Sequence, residues 1–411
     1  MITVNAPQLL ADLETLATFS DVPAPAVTRI VFSEADRQAR AWFKSRCTAA
    51  GLTVREDAVG NTFARYTGGD PTLPAIATGS HIDAIPHAGR YDGTVGVLGG
   101  LEAIRALQRA GIRPRRSIEL IQFTSEEPTR FGIGCLGSRL LCGSRDAAVG
   151  ESLKDKEEKS LNEVRAAAGF SGSLDDVRLA PGHYAGFIEL HIEQGPLLER
   201  ASIPLGIVTA IAAPASWRIS IEGEGGHAGA VLMPDRRDAF LAAAEIALVV
   251  ESAAKDTGSR DSVGTCGLCE IFPGAVNSIP SRVRMELDVR DTDEARREIM
   301  LGRIAQACDE VAARRGVTIR REVINADPPA QCDPAVVAAL RVAAQKHKYP
   351  FQEMVSRAYH DSLFMSRFAP TAMLFIPCRG GVSHRPDEYA SPEAIAQGTL
   401  VLAEALAELA Q

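Results

Sequence analysis

Residues 75–93 read AIATGSHIDAIPHAGRYDG, an apolar run followed by a glycine-rich loop that carries two histidines and two acids. The run at 75–78 is typical of a buried strand, which predicts that the loop lies at the carboxyl end of that strand. His81 and Asp92 are of the residue types that bind divalent metals, and Asp83 stands on the same side of an extended segment as His81. We therefore predict that His81 is a terminal metal ligand, that Asp83 orients its imidazole, and that Asp92 bridges two metal ions. A polar turn rich in Gly, Asp and Pro is the alternative for this loop taken alone.

The same arrangement of an apolar run and a polar loop occurs three more times along the chain. The further runs cover residues 118–123, 187–190 and 372–376, and helical patterns lie at 95–110 and 392–409. Strands that alternate with helices predict an α/β fold whose sheet is mixed, mostly parallel and covered on both faces. Because ligands bind at the carboxyl ends of the strands in such sheets, we expect the four loops to form one site.

The loop after the second run contains two adjacent glutamates, Glu126 and Glu127. Adjacent residues that leave a strand point in different directions, so one carboxylate can bind metal while the other faces a substrate. We assign Glu127 as a metal ligand. We assign Glu126 as the general base, which takes a proton from metal-activated water and passes it to the leaving nitrogen. The alternative is an acidic pair at the start of a helix, before Pro128.

Three histidines and two acids make up the predicted metal site: His81, Asp92, Glu127, His191 and His384. Any one of them alone is more often a core or surface residue, so the prediction depends on their joint position at strand ends. His81 and His191 are expected on one ion. Glu127 and His384 are expected on the other, with Asp92 shared. Each ion then has three protein ligands and a position for water, as a catalytic metal site in a hydrolase requires.

Residues 209–327 have a different pattern. Half-exposed strands and two helical stretches follow one another in the order βαββαβ, which predicts a ferredoxin-like α+β domain. This domain would interrupt the metal-binding domain, which is then built from residues 1–208 and 328–411.

Three polar residues of this insert are candidate substrate contacts: His227 in a loop, Asn277 in a turn and Arg290 at the end of a strand. Glycines around His227 allow a ligand to approach the backbone closely, and we interpret His227 as a donor to an oxyanion. Asn277 is interpreted as a polar contact. Arg290 suits a carboxylate because its planar guanidinium group can bind both oxygens. The alternative for all three is an exposed loop position.

Bulk properties exclude several classes of protein. The chain has 411 residues, a net charge of −8 and 44 basic residues that are scattered, so two domains are expected and nucleic-acid binding is not. The first residues lack the pattern of a signal peptide, and no apolar stretch reaches the roughly 18 residues of a membrane span. We expect a soluble, cytoplasmic protein without membrane association.

Eight cysteines do not indicate a disulfide scaffold here, and Cys266 and Cys269 are expected to be ordinary strand residues.

Several motifs occur in a fixed order along the chain: FTSEEPTRFG, HIEQG, GGHAG, NSIPSRVRMELDVRD and GGVSHRPDE. In this combination the chain resembles the metal-dependent amidohydrolases that include N-carbamoyl-L-amino acid hydrolases, allantoate amidohydrolases and ureidoglycolate amidohydrolases. The resemblance implies a zinc-aminopeptidase-like catalytic domain with two zinc or manganese ions, and a smaller lid domain that also forms a homodimer. It implies that His227 and Asn277 reach the active site of the neighbouring subunit. It further implies that Arg290 holds the substrate carboxylate and that Gln194 contacts a ureido group.

In two segments the chain differs from the other branches of that family and resembles the ureidoglycolate branch. Pro128 and Thr129 stand where the other branches usually carry a glycine after the glutamate pair, and SRAYHDSLFM replaces their usual SGAGHDA pattern. Tyr359 is far bulkier than glycine and should reshape the pocket beside His360, which fits a small substrate. The resemblance thus implies release of ammonia from a small ureido carboxylate, a reaction of purine catabolism. An N-carbamoyl amino acid, allantoate or a dipeptide is the nearer alternative substrate, and a non-catalytic binding protein is the distant alternative.

Overall fold

The computed structural model describes residues 1–411, which form two compact units. The first unit comprises Met1–Thr209, Cys332–Met354 and His360–Gln411, and the second comprises Ala210–Gln331 and Val355–Tyr359. Each unit is therefore built from separate pieces of the sequence. None of the helices combines the length and the apolar character that a membrane crossing requires.

The elements alternate along most of the chain. The strands are β1 (Val27–Arg29), β2 (Thr53–Glu56), β3 (Thr62–Tyr66), β4 (Ala75–His81), β5 (Ala84–Ala88), β6 (Ile118–Phe123), β7 (Tyr184–Ile192), β8 (Leu205–Ile211), β9 (Ala213–Glu222), β10 (Gly226–His227), β11 (Val263–Phe272), β12 (Ser278–Ile279), β13 (Arg282–Asp291), β14 (Thr318–Ala326), β15 (Ala330–Gln331), β16 (Phe351–Ser356) and β17 (Thr371–Ile376). The helices are α1 (Ala6–Ala17), α2 (Glu34–Ala49), α3 (Thr94–Arg109), α4 (Leu136–Leu141), α5 (Val149–Ser152), α6 (Leu161–Ala167), α7 (Leu197–Ala201), α8 (Ala239–Lys255), α9 (Glu294–Arg315), α10 (Pro334–Lys346), α11 (Asp361–Met365) and α12 (Pro392–Leu409).

The sheet of the first unit has the strand order β8-β17-β7-β4-β6-β3-β2. Its central strands β17, β7, β4 and β6 are parallel, and the outer pairs are antiparallel. The predicted mixed α/β sheet is confirmed, but the prediction that it is mostly parallel is correct only for these four strands. The reason at one edge is connection length: residues 57–61 join β2 to β3, and so short a loop permits only antiparallel pairing.

The four parallel strands place their carboxyl ends at one edge of the sheet. Strands β4, β6 and β17 are buried along their whole length, which explains why they appear in the sequence as continuous apolar runs. Helices α3 and α12 pack against this sheet and against each other. The loops that follow β4, β6, β7 and β17 therefore have a common, rigid base.

The second unit contains a four-stranded antiparallel sheet in the order β11-β13-β9-β14, against which α8 and α9 pack. Its core includes Ile219, Ile246, Leu287 and Ile304. The six strands and helices predicted within 209–327 are all present. Helix α8 begins at Ala239 because Asp238 caps it, accepting hydrogen bonds from the backbone N–H groups of its first turn.

Gly79 in β4 provides a test of this sheet. A Cβ atom at this position would lie 1.9 Å from the carbonyl oxygen of Ile121 on the paired strand β6. We expect Gly79→Ala to lower the free energy of unfolding by about 2 to 3 kcal/mol, because neighbouring backbone would have to move. Gly69→Ala is the matched control, since the nearest atom there is 3.8 Å away. Urea denaturation measures both, and equal midpoints for the two variants would contradict the packing described.

Candidate metal centre

The predicted ligands lie at the common edge of the four parallel strands. His81 is the last residue of β4, and His191 is the penultimate residue of β7. Glu127 follows β6 and His384 follows β17. Strands β4 and β7 thus extend further than predicted and include His81 and His191. The sheet itself therefore sets the positions of these two histidines.

The first group of donors consists of two buried histidines and one aspartate. The Nε2 atom of His191 lies 3.2 Å from Oδ1 of Asp92, and Nε2 of His81 lies 3.9 Å from the same oxygen. The ligand atoms of all three residues lie within 4.8 Å of one another. Such spacing allows them to bind a single cation.

The second group uses the other oxygen of Asp92. The Nε2 atom of His384 lies 3.0 Å from Oδ2 of Asp92 and 3.5 Å from Oε1 of Glu127. The side chain of His384 is 46% exposed, whereas the others are buried, so this group is the one in contact with solvent. With one oxygen facing each group, Asp92 has the arrangement of a bridging carboxylate.

Backbone carbonyl groups orient the two buried imidazoles. The Nδ1 atom of His81 bonds the carbonyl oxygen of Asp83 at 2.9 Å, and Nδ1 of His191 bonds that of Ile192 at 2.9 Å. Both Nε2 atoms therefore face Asp92. The predicted role of the Asp83 carboxylate as the orienting partner of His81 is not observed, because its Oδ1 is 3.7 Å from Nδ1 of His81. That carboxylate instead accepts the backbone N–H groups of Glu126 at 3.3 Å and Glu127 at 3.0 Å, and so holds the glutamate loop.

The electrostatics of the cluster favour cations. Burial lowers the pKa of His81 to about 4, which keeps its imidazole neutral and able to bind metal. Burial and the nearby Asp92 raise the pKa of Glu127 to about 8. Burial and the neighbouring Glu127 hold the pKa of Glu126 well above its usual range. Buried carboxyl groups so close together repel one another when ionised, and a divalent cation would offset that repulsion. Imidazole and carboxylate donors of this kind fit zinc or manganese.

Glu388 is a part of the site whose role the sequence does not predict. Its Oε1 atom accepts the backbone N–H groups of Tyr91 at 2.8 Å and Asp92 at 3.1 Å, and its Oε2 atom accepts the Ser383 hydroxyl at 2.9 Å. This buried carboxylate thereby ties the loop of Asp92 to the loop of His384. The only sequence signal was an acid four residues after a predicted ligand, which is too common a pattern to assign a role.

Two predicted substrate contacts lie beside the donors within the first unit. The side-chain amide of Gln194 donates to both carboxylate oxygens of Asp92, at 3.1 and 3.0 Å, and its own Oε1 atom is buried without a hydrogen-bond partner. The ring of His360 lies 4.5 Å from that of His191, and its buried Nε2 atom also has no partner. Both side chains thus have a polar atom left over for a ligand.

The other predicted contacts belong to the second unit. His227 is in β10, which pairs with β12 next to Asn277, and the carbonyl of Asn277 accepts the N–H of Ala228 at 2.9 Å. Arg290 binds both oxygens of Asp288 at 2.7 and 3.1 Å and donates to the carbonyl of Arg357. The structure thus brings His227 and Asn277 together and places Arg290 in a fixed orientation.

Tyr359 also belongs to the second unit, at the end of its short second segment. Its hydroxyl contacts the carboxylate of Asp327. The next residue in the chain, His360, belongs to the first unit. This hydroxyl contact of Tyr359 therefore lies within the second unit, whereas the metal donors belong to the first unit.

A mixed α/β unit with paired imidazole and carboxylate donors at the ends of its parallel strands is the architecture of a metal-dependent hydrolase. Residues 77–408 match peptidase family M20/M25/M40. The chain belongs to this family, and its first unit has the mixed α/β fold of such peptidases.

Two curated relatives are similar along nearly the whole chain. The chain is 52% identical over 417 residues to the ureidoglycolate hydrolase of Arabidopsis thaliana, covering 99% of this chain and 87% of that protein. It is 36% identical over 409 residues to the N-carbamoyl-L-amino acid amidohydrolase of Geobacillus stearothermophilus, covering 99% of both. Among solved structures, that of AtUAH in complex with glyoxylate is similar with a TM-score of 0.88 at 51% identity, covering 100% of this chain and 98% of that one.

Gly93 provides a test of the metal centre. Its φ is +65°, and an added Cβ atom would lie 2.4 Å from the imidazole of His81. We expect Gly93→Ala to weaken the binding of zinc or manganese by about 10- to 100-fold, because the ligand would be displaced. Isothermal titration calorimetry with each ion measures the change.

Gly111→Ala is the matched control for this variant. Gly111 has a similar φ of +69° but no neighbouring atom within 4 Å, so its replacement carries the same backbone strain without the collision. We expect metal affinity to be unchanged in the control. Equal affinities in the two variants would contradict the proposed place of His81 in the site.

Proposed function

We propose that the protein is a metal-dependent amidohydrolase that cleaves a linear C–N amide bond of ureidoglycolate and releases ammonia. The main observation in support of this proposal is the 52% identity to a ureidoglycolate hydrolase along 99% of the chain. The paired donor groups on Asp92 support it independently, because they supply the residues that hydrolysis with two divalent ions needs.

Two divalent ions, zinc or manganese, are the proposed cofactors. His81 and His191 would hold one ion, Glu127 and His384 would hold the other, and Asp92 would bridge them. When bound, such ions acidify water and polarise the carbonyl group of a substrate. Three protein donors for each ion leave a position for these reactants.

Glu126 is the proposed general base. It lies next to the ligand Glu127, and its Oε2 atom is 3.7 Å from Nε2 of His81, so its carboxylate faces the donor cluster. In this position it takes the proton of the attacking water and later delivers it to the nitrogen that leaves as ammonia. Asp83 contributes by fixing the backbone of both glutamates.

The substrate contacts follow from the polar atoms that remain. Gln194 and His360 each present an unpartnered buried atom beside the donors, which suits the ureido group of a small substrate. Arg290 is the proposed partner of the substrate carboxylate. Asp288 and the carbonyl of Arg357 fix its guanidinium group and still leave N–H groups for a second carboxylate. Tyr359 limits the size of the substrate.

The second unit is the proposed lid and dimerisation domain, with functional boundaries at residues 209 and 327. Its strand order β11-β13-β9-β14 and its two helices support a ferredoxin-like assignment. As in the family that the sequence resembles, we propose a homodimer in which His227 and Asn277 serve the active site of the neighbouring subunit. The proposed setting is purine catabolism in the cytoplasm.

A substrate panel tests the proposed function. Manganese-loaded protein is assayed for ammonia release from ureidoglycolate, allantoate and N-carbamoyl amino acids, and for cleavage of a dipeptide. We expect the kcat/KM for ureidoglycolate to exceed the others by at least about 100-fold, because a site that hydrogen-bonds its substrate discriminates strongly. Chelation should abolish this activity and added manganese should restore it. A preference for an N-carbamoyl amino acid would contradict ureidoglycolate as the substrate and would support the nearer alternative, hydrolysis of N-carbamoyl amino acids.

Replacement of the two adjacent glutamates separates catalysis from metal binding. Glu126→Gln should keep both ions and lose at least about 100-fold in kcat, because the amide cannot accept the proton. Glu127→Gln is the comparison, and it should lose metal as well as activity. Metal content by mass spectrometry and ammonia release measure the two effects. Normal turnover by Glu126→Gln would refute the assigned base.

A further inference from the structure

The glutamate loop is closed at its base by backbone hydrogen bonds between its two ends. The N–H of Cys135 donates to the carbonyl of Glu126 at 2.8 Å, and the N–H of Leu136 donates to that of Ser125 at 2.9 Å. Residues 126–135 therefore form a compact loop whose last residue lies directly beside its first.

The residue before this loop and the last residue of the loop both have backbone conformations that residues other than glycine rarely adopt. The φ angle is +56° at Ser125 and +57° at Cys135. Such conformations cost about 1 kcal/mol or more each and persist where the surrounding structure requires them, often at functional sites. The conformation at Cys135 aims its side chain back at Glu126.

The side chain of Cys135 bonds the carboxylate of Glu126. The sulfur atom lies 3.4 Å from Oε1 of Glu126, a distance suitable for an S–H···O hydrogen bond, and no other hydrogen bond reaches this carboxylate. Its second oxygen, Oε2, faces His81. One oxygen is thus anchored by the thiol while the other is directed at the metal donors.

We infer that Cys135 is a positioning residue for the general base, its thiol holding the carboxylate of Glu126 in the orientation that proton transfer requires. This inference rests on the proposed role of Glu126. It concerns only the orientation of the base, since the thiol makes its one hydrogen bond to the carboxylate of Glu126.

The surroundings of Cys135 suit a fixed donor. The residue is fully buried, and burial holds the pKa of its thiol well above the ordinary value, so the sulfur keeps its proton. Its backbone is also held, because the Ser138 hydroxyl lies 3.1 Å from the Cys135 carbonyl and 2.5 Å from Oδ1 of the buried Asp361. A rigidly placed S–H donor helps the carboxylate of Glu126 to keep one rotamer.

Substitution of the thiol tests the inference through kinetics. Cys135→Ala should lower kcat for ureidoglycolate by about fivefold, the effect of a weak hydrogen bond, with KM changed less than twofold. Cys135→Ser keeps a donor of similar size and should recover most of the lost kcat. Cys47→Ala is the matched control, because it removes an equally buried thiol from α2 and should leave kcat unchanged. Thermal unfolding and metal content are measured for all three variants.

Two outcomes of the single-variant measurements would overturn the inference. One is a wild-type kcat in folded, metal-loaded Cys135→Ala. The other is a Cys135→Ser variant as slow as Cys135→Ala, since that would make the residue important for packing and not for its donor.

A double-variant comparison separates this inference from the proposed function. In the Glu126→Gln background, adding Cys135→Ala should change the residual rate less than twofold, because the carboxylate that the thiol positions is already absent. The same fivefold loss in that background would show that Cys135 acts elsewhere and would overturn the inference. If Glu126→Gln itself is fully active, the assigned base is wrong. If Glu126→Gln is inactive while Cys135→Ala is normal, only the present inference fails.

Discussion

The sharing of one buried carboxylate, that of Asp92, between two groups of imidazole and carboxylate donors is the interaction on which the site depends. One oxygen faces His191 and the other faces His384, residues that are separated by almost half of the chain. The sharing is possible only if β7 and β17 are neighbouring parallel strands and if the loop after β4 reaches across them. The order of the central strands is therefore what allows the site to exist.

Burying so many acids is costly, and the chain reduces that cost with backbone donors. Glu388 accepts two N–H groups of the Asp92 loop, and Asp83 accepts two from the glutamate loop. These two acids fix loops by accepting backbone hydrogen bonds, which leaves Asp92, Glu126 and Glu127 to face the donor cluster. Removing one partner of such a buried arrangement would leave an uncompensated charge, at a cost of several kcal/mol.

The sequence was a sufficient guide where the signal was local. Apolar runs located β4, β6, β7 and β17, and the acids and histidines just beyond them are the residues that the structure brings together. It failed where the answer depended on pairing between distant segments. The antiparallel edges of the sheet, the backbone carbonyl that orients His81 and the role of Glu388 each arise from contacts that no spacing in the sequence reveals. Cys135 appeared only as one unpatterned cysteine, because its role depends on how a ten-residue loop closes.

The sequence by itself determined which residues could bind metal, that they follow strands, and which family the chain resembles, because residue type and periodicity are properties of short segments. Only the tertiary structure decided which donors share Asp92, which carboxylates hold loops instead of facing the site, and that a thiol contacts Glu126. The physical reason is that these relations are set by strand order, register and backbone hydrogen bonds between residues far apart in the chain, all of which exist only once the sheet has formed.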